Sequence, residues 1–151
     1  DDFAQVCSRA RERLGDDLHI SSDVLVGFPG EDESAFGNTL RLMRRAGIGR
    51  AHVFPYSPRR GTPAASFEGR GGPAALSARA AEAAALGNEL LDAYAARFVG
   101  RTLPVLPEGG RCSGYTPHFL PVAWEGGAEV GRSVRLRIDS ASGGELRGCP
   151  V

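Results

Sequence analysis

The chain has 151 residues and 42% hydrophobic content, enough for one ordinary domain or two small ones with a buried core. Its basic residues are all Arg, and eighteen of them cancel eighteen acidic residues, so net charge excludes bulk attraction to nucleic acid and leaves only local patches. No apolar run approaches the roughly 20 residues of a membrane span, and Cys7, Cys112 and Cys149 are too far apart in sequence for a zinc or iron-sulfur ligand set.

Taken in chain order, the sequence opens without Met or a signal-peptide pattern, directly on a helix-like stretch, as if in the middle of something larger. Phe3, Val6, Cys7, Ala10 and Leu14 fall at helical spacing, and Gly15 ends that helix. Asp23 to Val26 reads as a parallel strand covered on both faces, followed by a Gly27-Phe28-Pro29-Gly30 turn. Glu31, Asp32 and Glu33 open a second helix, where acidic groups suit the positive end of the dipole. Phe36, Leu40 and Met43 mark its buried face. Ala51 to Phe54 is a second strand. The alternation of helix and strand predicts a right-handed parallel α/β arrangement, too short to close a barrel by itself. Residues 55–72, rich in Pro, Gly, Ser and Arg, predict a loop. Residues 76–99 predict a long helix with Leu86, Leu90, Tyr94 and Phe98 on one stripe.

After Gly100 the pattern changes. Three short apolar stretches, 102–106, 119–124 and 133–138, alternate with Gly-rich turns. Val134, Leu136 and Ile138 alternate with Arg135 and Arg137, the mark of a half-buried strand. This predicts a small all-β barrel of the oligonucleotide-binding kind, with Trp124 in its core. The expected organisation is therefore residues 1–75 as a partial parallel (β/α) barrel, 76–99 as a connecting helix, and 100–151 as the β module.

Three segments resemble a known family. The run from Asp23 to Glu31 resembles the fifth-strand motif of radical S-adenosylmethionine barrels. The run from His52 to Ala65, HVFPYSPRRGTPAA, resembles the sixth strand and following loop of the tRNA methylthiotransferases within that group. Gly114-Tyr115-Thr116, followed by Phe119 to Val122, resembles the start of the TRAM domain that ends those enzymes, although His118 and Phe119 stand where the family usually has Asn and Tyr. The resemblance implies a cytoplasmic tRNA-modifying enzyme that adds a methylthio group to an adenosine beside the anticodon. The HVFPYS run is most similar to the enzymes acting on N6-threonylcarbamoyladenosine. Relatives acting on isopentenyladenosine or on a ribosomal protein, and a non-catalytic RNA-binding protein with a barrel remnant, are the alternatives.

The family's chemistry uses S-adenosylmethionine and 4Fe-4S clusters held by closely spaced cysteines, and this sequence has none so spaced. No catalytic or metal-ligating residue is therefore assigned, and the chain alone is expected to be inactive without an N-terminal part of the same enzyme. Binding positions are expected. Ligands of parallel α/β folds sit at the carboxyl ends of strands, so Val26, Gly27, Phe54 and Tyr56 are candidates for the cofactor. Arg59 and Arg60 in the adjoining loop are candidates for RNA phosphate. In the β module Tyr115 and Phe119 are candidates for base stacking, and Arg101, Arg111, Arg135 and Arg137 for phosphate contact. The tRNA anticodon stem-loop is the expected partner. For each position the structural alternative is a core, turn or ion-paired role.

Overall fold

The structure is a computed structural model that describes residues 2–69, 71–109, 112–127 and 131–151. Helix α1 (Asp2–Leu14) is followed by β1 (Ser21–Val26), α2 (Glu33–Ala46), β2 (Arg50–Pro55), a 3-10 turn (Pro63–Ser66) and the long helix α3 (Pro73–Ala96). Strands β3 (Thr102–Pro107), β4 (Ser113–Tyr115), β5 (Pro121–Trp124), β6 (Val134–Ser142) and β7 (Glu145–Pro150) follow.

β1 and β2 pair in parallel, with Val24 opposite Val53 and Leu25 opposite Phe54. Parallel neighbours need a crossover element, and α2 is that crossover. Its start is fixed by Asp32, whose carboxylate accepts the Ala35 N–H at 2.7 Å. Its end is Gly47, left-handed at φ 60°, as helix termination favours. Phe36, Met43 and Ala46 of α2 meet Val24 and Val26 in the first core.

Contrary to the expectation from its sequence, β1 is covered on one face only. Val24 and Val26 are buried, but Asp23 and Leu25 point away and are exposed. Helices cover only one side of the two-stranded sheet, so the period-2 alternation of a strand leaves Asp23, Leu25, His52 and Phe54 on an open face. The apolar spacing of α1 is likewise only partly used. Cys7 is buried, while Phe3, Val6 and Leu14 are exposed, because α1 packs chiefly against α2.

α3 runs the length of the sheet and serves two cores. Leu76, Ala80, Ala83, Leu86 and Leu90 pack in the first. Gly87 lets the helix approach β2: a Cβ there would lie 3.1 Å from that of Ala51. Leu91, Tyr94 and Ala95, with Phe98 just beyond the helix, pack in the second.

That second core fills a closed barrel with strand order β3-β4-β5-β7-β6. β5 and β7 are parallel and the other pairs antiparallel. Closure removes exposed sheet edges. Leu103, Val105, Val122, Trp124, Leu136, Ile138 and Leu146 point inward. The small β-barrel expected from the sequence is thus present. Two of its strands, β4 and β7, lie outside the three apolar stretches, because glycines occupy inner positions. A Cβ at Gly114 would lie 2.1 Å from the Leu106 carbonyl oxygen, and one at Gly148 2.5 Å from that of Arg137. Close backbone approach therefore replaces the apolar side chains that mark a strand.

The segment between α1 and β1 joins the two cores. The Asp17 carboxylate accepts two hydrogen bonds from Arg101, at 2.6 and 2.9 Å. The Tyr94 hydroxyl donates to the Asp17 carbonyl at 2.7 Å, and Arg97 to the Asp16 carbonyl at 2.9 Å. His19 Nδ1 lies 2.8 Å from the His118 carbonyl. A carbonyl can only accept, so Nδ1 carries the proton.

Candidate cofactor rim and nucleic-acid interface

At the carboxyl end of the sheet the Tyr56 N–H donates to the Val26 carbonyl at 2.8 Å, extending the strand pairing by one residue. The chain then turns at Gly27. Its φ of +75° favours glycine, and it sits against Leu76, whose Cδ1 would lie 2.1 Å from an added Cβ and would have to move aside. The Gly27 N–H donates to Glu31 Oε2 at 2.6 Å. Glu31 is nearly buried and pairs with the equally sheltered Arg79 of α3 at 3.1 Å. Arg79 also donates to the Glu31 carbonyl at 2.7 Å. Arg79 Nε is enclosed without a hydrogen-bond partner among the described residues, and the bonds that the rest of the guanidinium makes tie the turn to α3. Glu31 thus holds the turn before α2.

Phe28 of the turn meets Tyr56 edge-on at 5.3 Å and Phe67 at 6.2 Å. The Tyr56 hydroxyl donates to the Ala64 carbonyl at 2.9 Å, and the Gly30 N–H to the Gly69 carbonyl at 3.1 Å. Loop 55–72 is thereby folded back onto the strand ends. It borders a cavity of about 550 Å³ lined by Asp23, Leu25, Phe54, Tyr56, Arg59 and Thr62.

The structure brings Phe54, Tyr56 and Arg59 together on this cavity, with Arg60 exposed in the same loop. Val26 is 0% exposed and its side chain lies in the first core, on the opposite face of the sheet from the cavity. Its neighbour Leu25 supplies the apolar wall instead. Sequence reasoning missed Leu25 and Asp23, although strict alternation from a buried Val26 would have found both.

On the β-barrel, Leu106 and Tyr115 are register partners on adjacent strands. Both are exposed, and with Phe119 and Pro104 they line a groove of about 330 Å³. Phe119 is 71% exposed and adopts φ 57°, the only non-glycine residue with positive φ among those described. The left-handed conformation costs an ordinary side chain about 1–2 kcal/mol. The turn around it is heavily determined. The buried Thr116 hydroxyl lies 3.3 Å from the N–H groups of both His118 and Leu120. The Thr116 N–H donates to the Leu120 carbonyl and the Phe119 N–H to the Thr116 carbonyl. His118 stacks on Phe98 at 4.5 Å, leaving Phe119 outside, 6.0 Å from the His19 ring.

The arginines divide. Arg135 lies opposite Pro104 on the outer barrel face, next to the groove. Arg137, on the same strand face, pairs with Asp139 at 3.2 Å. Cys149 Sγ lies 2.6 Å from the Asp139 carboxylate. That contact and Arg137 hold the Asp139 carboxyl below its ordinary value, while Asp139 pushes the Cys149 thiol up. Arg101 is occupied by Asp17 and lies over Phe98 at 5.0 Å. Arg111 lies outside the described residues. Tyr115, Phe119 and Arg135 therefore share one surface, whereas Arg59 and Arg60 lie at the far end of the sheet.

Among the described residues no group of three or more His, Cys, Asp or Glu is placed to hold a metal, and the three cysteines are free. No described helix is long and apolar enough to cross a membrane.

No protein-family model matches the sequence. Individual relatives do. The chain is 38% identical over 138 residues to a tRNA-2-methylthio-N(6)-dimethylallyladenosine synthase of Maricaulis maris, covering 87% of this chain and 30% of that protein. It is 38% identical over 144 residues to a synthase of the same name from Frankia casuarinae, covering 94% and 26%. It is 33% identical over 130 residues to the threonylcarbamoyladenosine tRNA methylthiotransferase MtaB of Bacillus subtilis, covering 80% and 29%. The chain spans less than a third of the length of these curated relatives. Through these relatives, the chain belongs to the tRNA methylthiotransferase family.

Proposed function

We propose that this chain is the RNA-gripping and cofactor-bordering portion of a radical S-adenosylmethionine tRNA methylthiotransferase, a cytoplasmic enzyme acting on an adenosine beside the anticodon. The observation that carries the reading is the outer face of the β-barrel. An aromatic ring held outside in a costly backbone conformation, flanked by Tyr115, Leu106 and Arg135, is a poor use of a surface unless something stacks there. The barrel then serves as the TRAM module, and β1 and β2 as two strands of a larger parallel barrel whose open face is completed by other strands.

The rim cavity supports the cofactor part of the reading. Leu25, Phe54 and Tyr56 form an apolar wall that suits a purine, and Arg59 brings a cation to its edge. When bound, S-adenosylmethionine would supply the radical that the family's reaction requires. The chain's own residues hold, orient and enclose it. The Glu31–Arg79 pair fixes the Gly27 turn, and the Phe28–Tyr56–Phe67 contacts hold the following loop against it. Three dispersed free cysteines do not fit an iron-sulfur cluster, and on this reading the isolated chain is expected to lack the activity. The resemblance of the His52-to-Ala65 segment favours N6-threonylcarbamoyladenosine as the modified nucleoside; the relatives that the chain is similar to are named for either nucleoside.

The test is binding of the chain to a tRNA anticodon arm across a salt series, followed by fluorescence anisotropy. Affinity should fall with rising salt. Phe119→Gly should weaken binding about 5- to 150-fold, the loss of one base stack, while relieving the left-handed strain and leaving the fold at least as stable. An unchanged affinity would remove the stacking role.

A further inference from the structure

Phe119 keeps a left-handed backbone that its side chain disfavours, so the peptide that precedes it has to be held. That peptide is anchored on both sides. Its N–H donates to the Thr116 carbonyl at 3.1 Å, a bond inside the turn. Its carbonyl, that of His118, accepts from His19 Nδ1 at 2.8 Å, and His19 lies 99 residues away in the segment before β1. A peptide unit is planar, so tying down its donor and its acceptor fixes the plane from which the Phe119 N–Cα bond rotates. With the carbonyl released, the plane can turn and φ can relax to the ordinary negative range, carrying the ring out of the groove.

His19 is itself held from the sheet side. The Ile20 carbonyl accepts the N–H groups of Gly49 and Arg50 at 2.7 and 3.3 Å, and the Asp17 carbonyl accepts the Tyr94 hydroxyl at 2.7 Å. The imidazole packs 5.0 Å from the Tyr94 ring and edge-on, 6.0 Å, from that of Phe119. Gly49 makes room for it: a Cβ there would lie 3.0 Å from His19 Cδ2. An apolar ring would fill this space with every group satisfied. The imidazole instead leaves Nε2 enclosed without a partner among the described residues, and a buried polar atom without a hydrogen bond is unfavourable. What the imidazole provides and an apolar ring does not is the bond from Nδ1.

We infer that His19 is a positioning residue for the RNA-contacting ring: by donating to the His118 carbonyl it presets Phe119 beside Tyr115 before any nucleotide arrives. The grip of the barrel is thus set in part by the segment that leads into β1. Without the bond only a fraction of molecules holds the ring in place, and affinity falls in proportion to that fraction. This rests on the RNA reading of the barrel groove.

The experiment measures binding of a fluorescent tRNA anticodon-arm hairpin to the full 151-residue chain by anisotropy, with fluorescence of the buried Trp124 confirming that each variant is folded. His19→Ala should weaken binding about 2- to 12-fold, the range that one hydrogen bond spans. His19→Phe keeps the ring packing without the donor and should weaken it as much, which preserves the test if the smaller side chain loosens the junction. His19→Asn carries an N–H at the position of Nδ1 and should restore most of the loss. In a Phe119→Gly background there is no ring to position, so His19→Ala should have no further effect. Folded His19→Ala and His19→Phe variants with the parental affinity, alongside a weakened Phe119→Gly, would overturn the positioning role and leave the RNA reading intact. So would an Asn variant as weak as the Ala variant, or losses that add in the double variant. If Phe119→Gly binds as tightly as the parent, the RNA reading falls and the inference with it.

Discussion

Phe98 is the residue on which the β-barrel depends most heavily. It follows α3, is 0% exposed, and closes the barrel from below. Its ring meets Tyr94 edge-on at 5.3 Å, stacks with His118 at 4.5 Å, and lies beneath the Arg101 guanidinium at 5.0 Å. Phe98→Ala removes the transfer energy of the ring and leaves a cavity, about 3–5 kcal/mol together. Aromatic pairing adds about 0.5–1.5 kcal/mol. A module of roughly 50 residues is stable by only about 2.5–7.5 kcal/mol. The substitution should therefore unfold the barrel or leave it at the edge of stability, while Phe98→Leu should cost less than half as much. The assay is intrinsic to the chain. Its single Trp, Trp124, is buried in the barrel core, so tryptophan fluorescence in a urea titration reports this module directly. A loss below about 1 kcal/mol for Phe98→Ala would refute the placement of that ring as the plug.

Gly114→Ala should cost about 2–3 kcal/mol in the same titration, because its Cβ would lie 2.1 Å from the Leu106 carbonyl and force β3 and β4 apart. Asp17→Asn removes a forked ion pair that is partly open to solvent, so the loss should be about 1 kcal/mol at neutral pH. The hydrogen bond from Arg101 is the main reason the Asp17 carboxyl sits below 3.8. Its contribution is therefore complete above pH 3.8 and lost as pH falls through the lower folded value, so the difference between variant and parent should vanish in acid. Burial holds His19 below 6.5, and its Nε2 is enclosed without a hydrogen-bond partner among the described residues. Stability should be full above pH 6.5 and decline below it as the unfolded chain takes up the proton first, and His19→Gln should flatten that decline in urea titrations at pH 7.5 and 5.5.

Much of the fold was legible because its elements carry strong local signals. Asp32 and Gly47 mark the ends of α2, and Leu86, Leu90 and Tyr94 mark one stripe of α3, which Phe98 continues just beyond the helix end. What the stripe could not tell is that its two halves enter different cores, since periodicity reports a buried face and not what buries it. β4 and β7 escaped notice because Gly114 and Gly148 are there for backbone clearance. At the rim, Phe54 and Tyr56 followed from the strand ends, but the choice between Val26 and Leu25 depends on which face the helices cover, a tertiary fact. On the barrel, Tyr115 and Phe119 were visible as aromatics beside turn residues. The pairing of Arg101 with Asp17 joins residues 84 apart in sequence and leaves no local trace.

The sharing of α3 bears on how pieces of such proteins can be exchanged. Gly100 looks like a seam, and a cut there would separate the strands cleanly. It would also strip the barrel of Leu91, Tyr94, Ala95 and Phe98, leaving its floor open to water. A transplantable β module must begin no later than Leu91, carrying the last turns of the helix as its own base. Recombination at the apparent linker would instead yield two halves, each missing a wall that the other had kept.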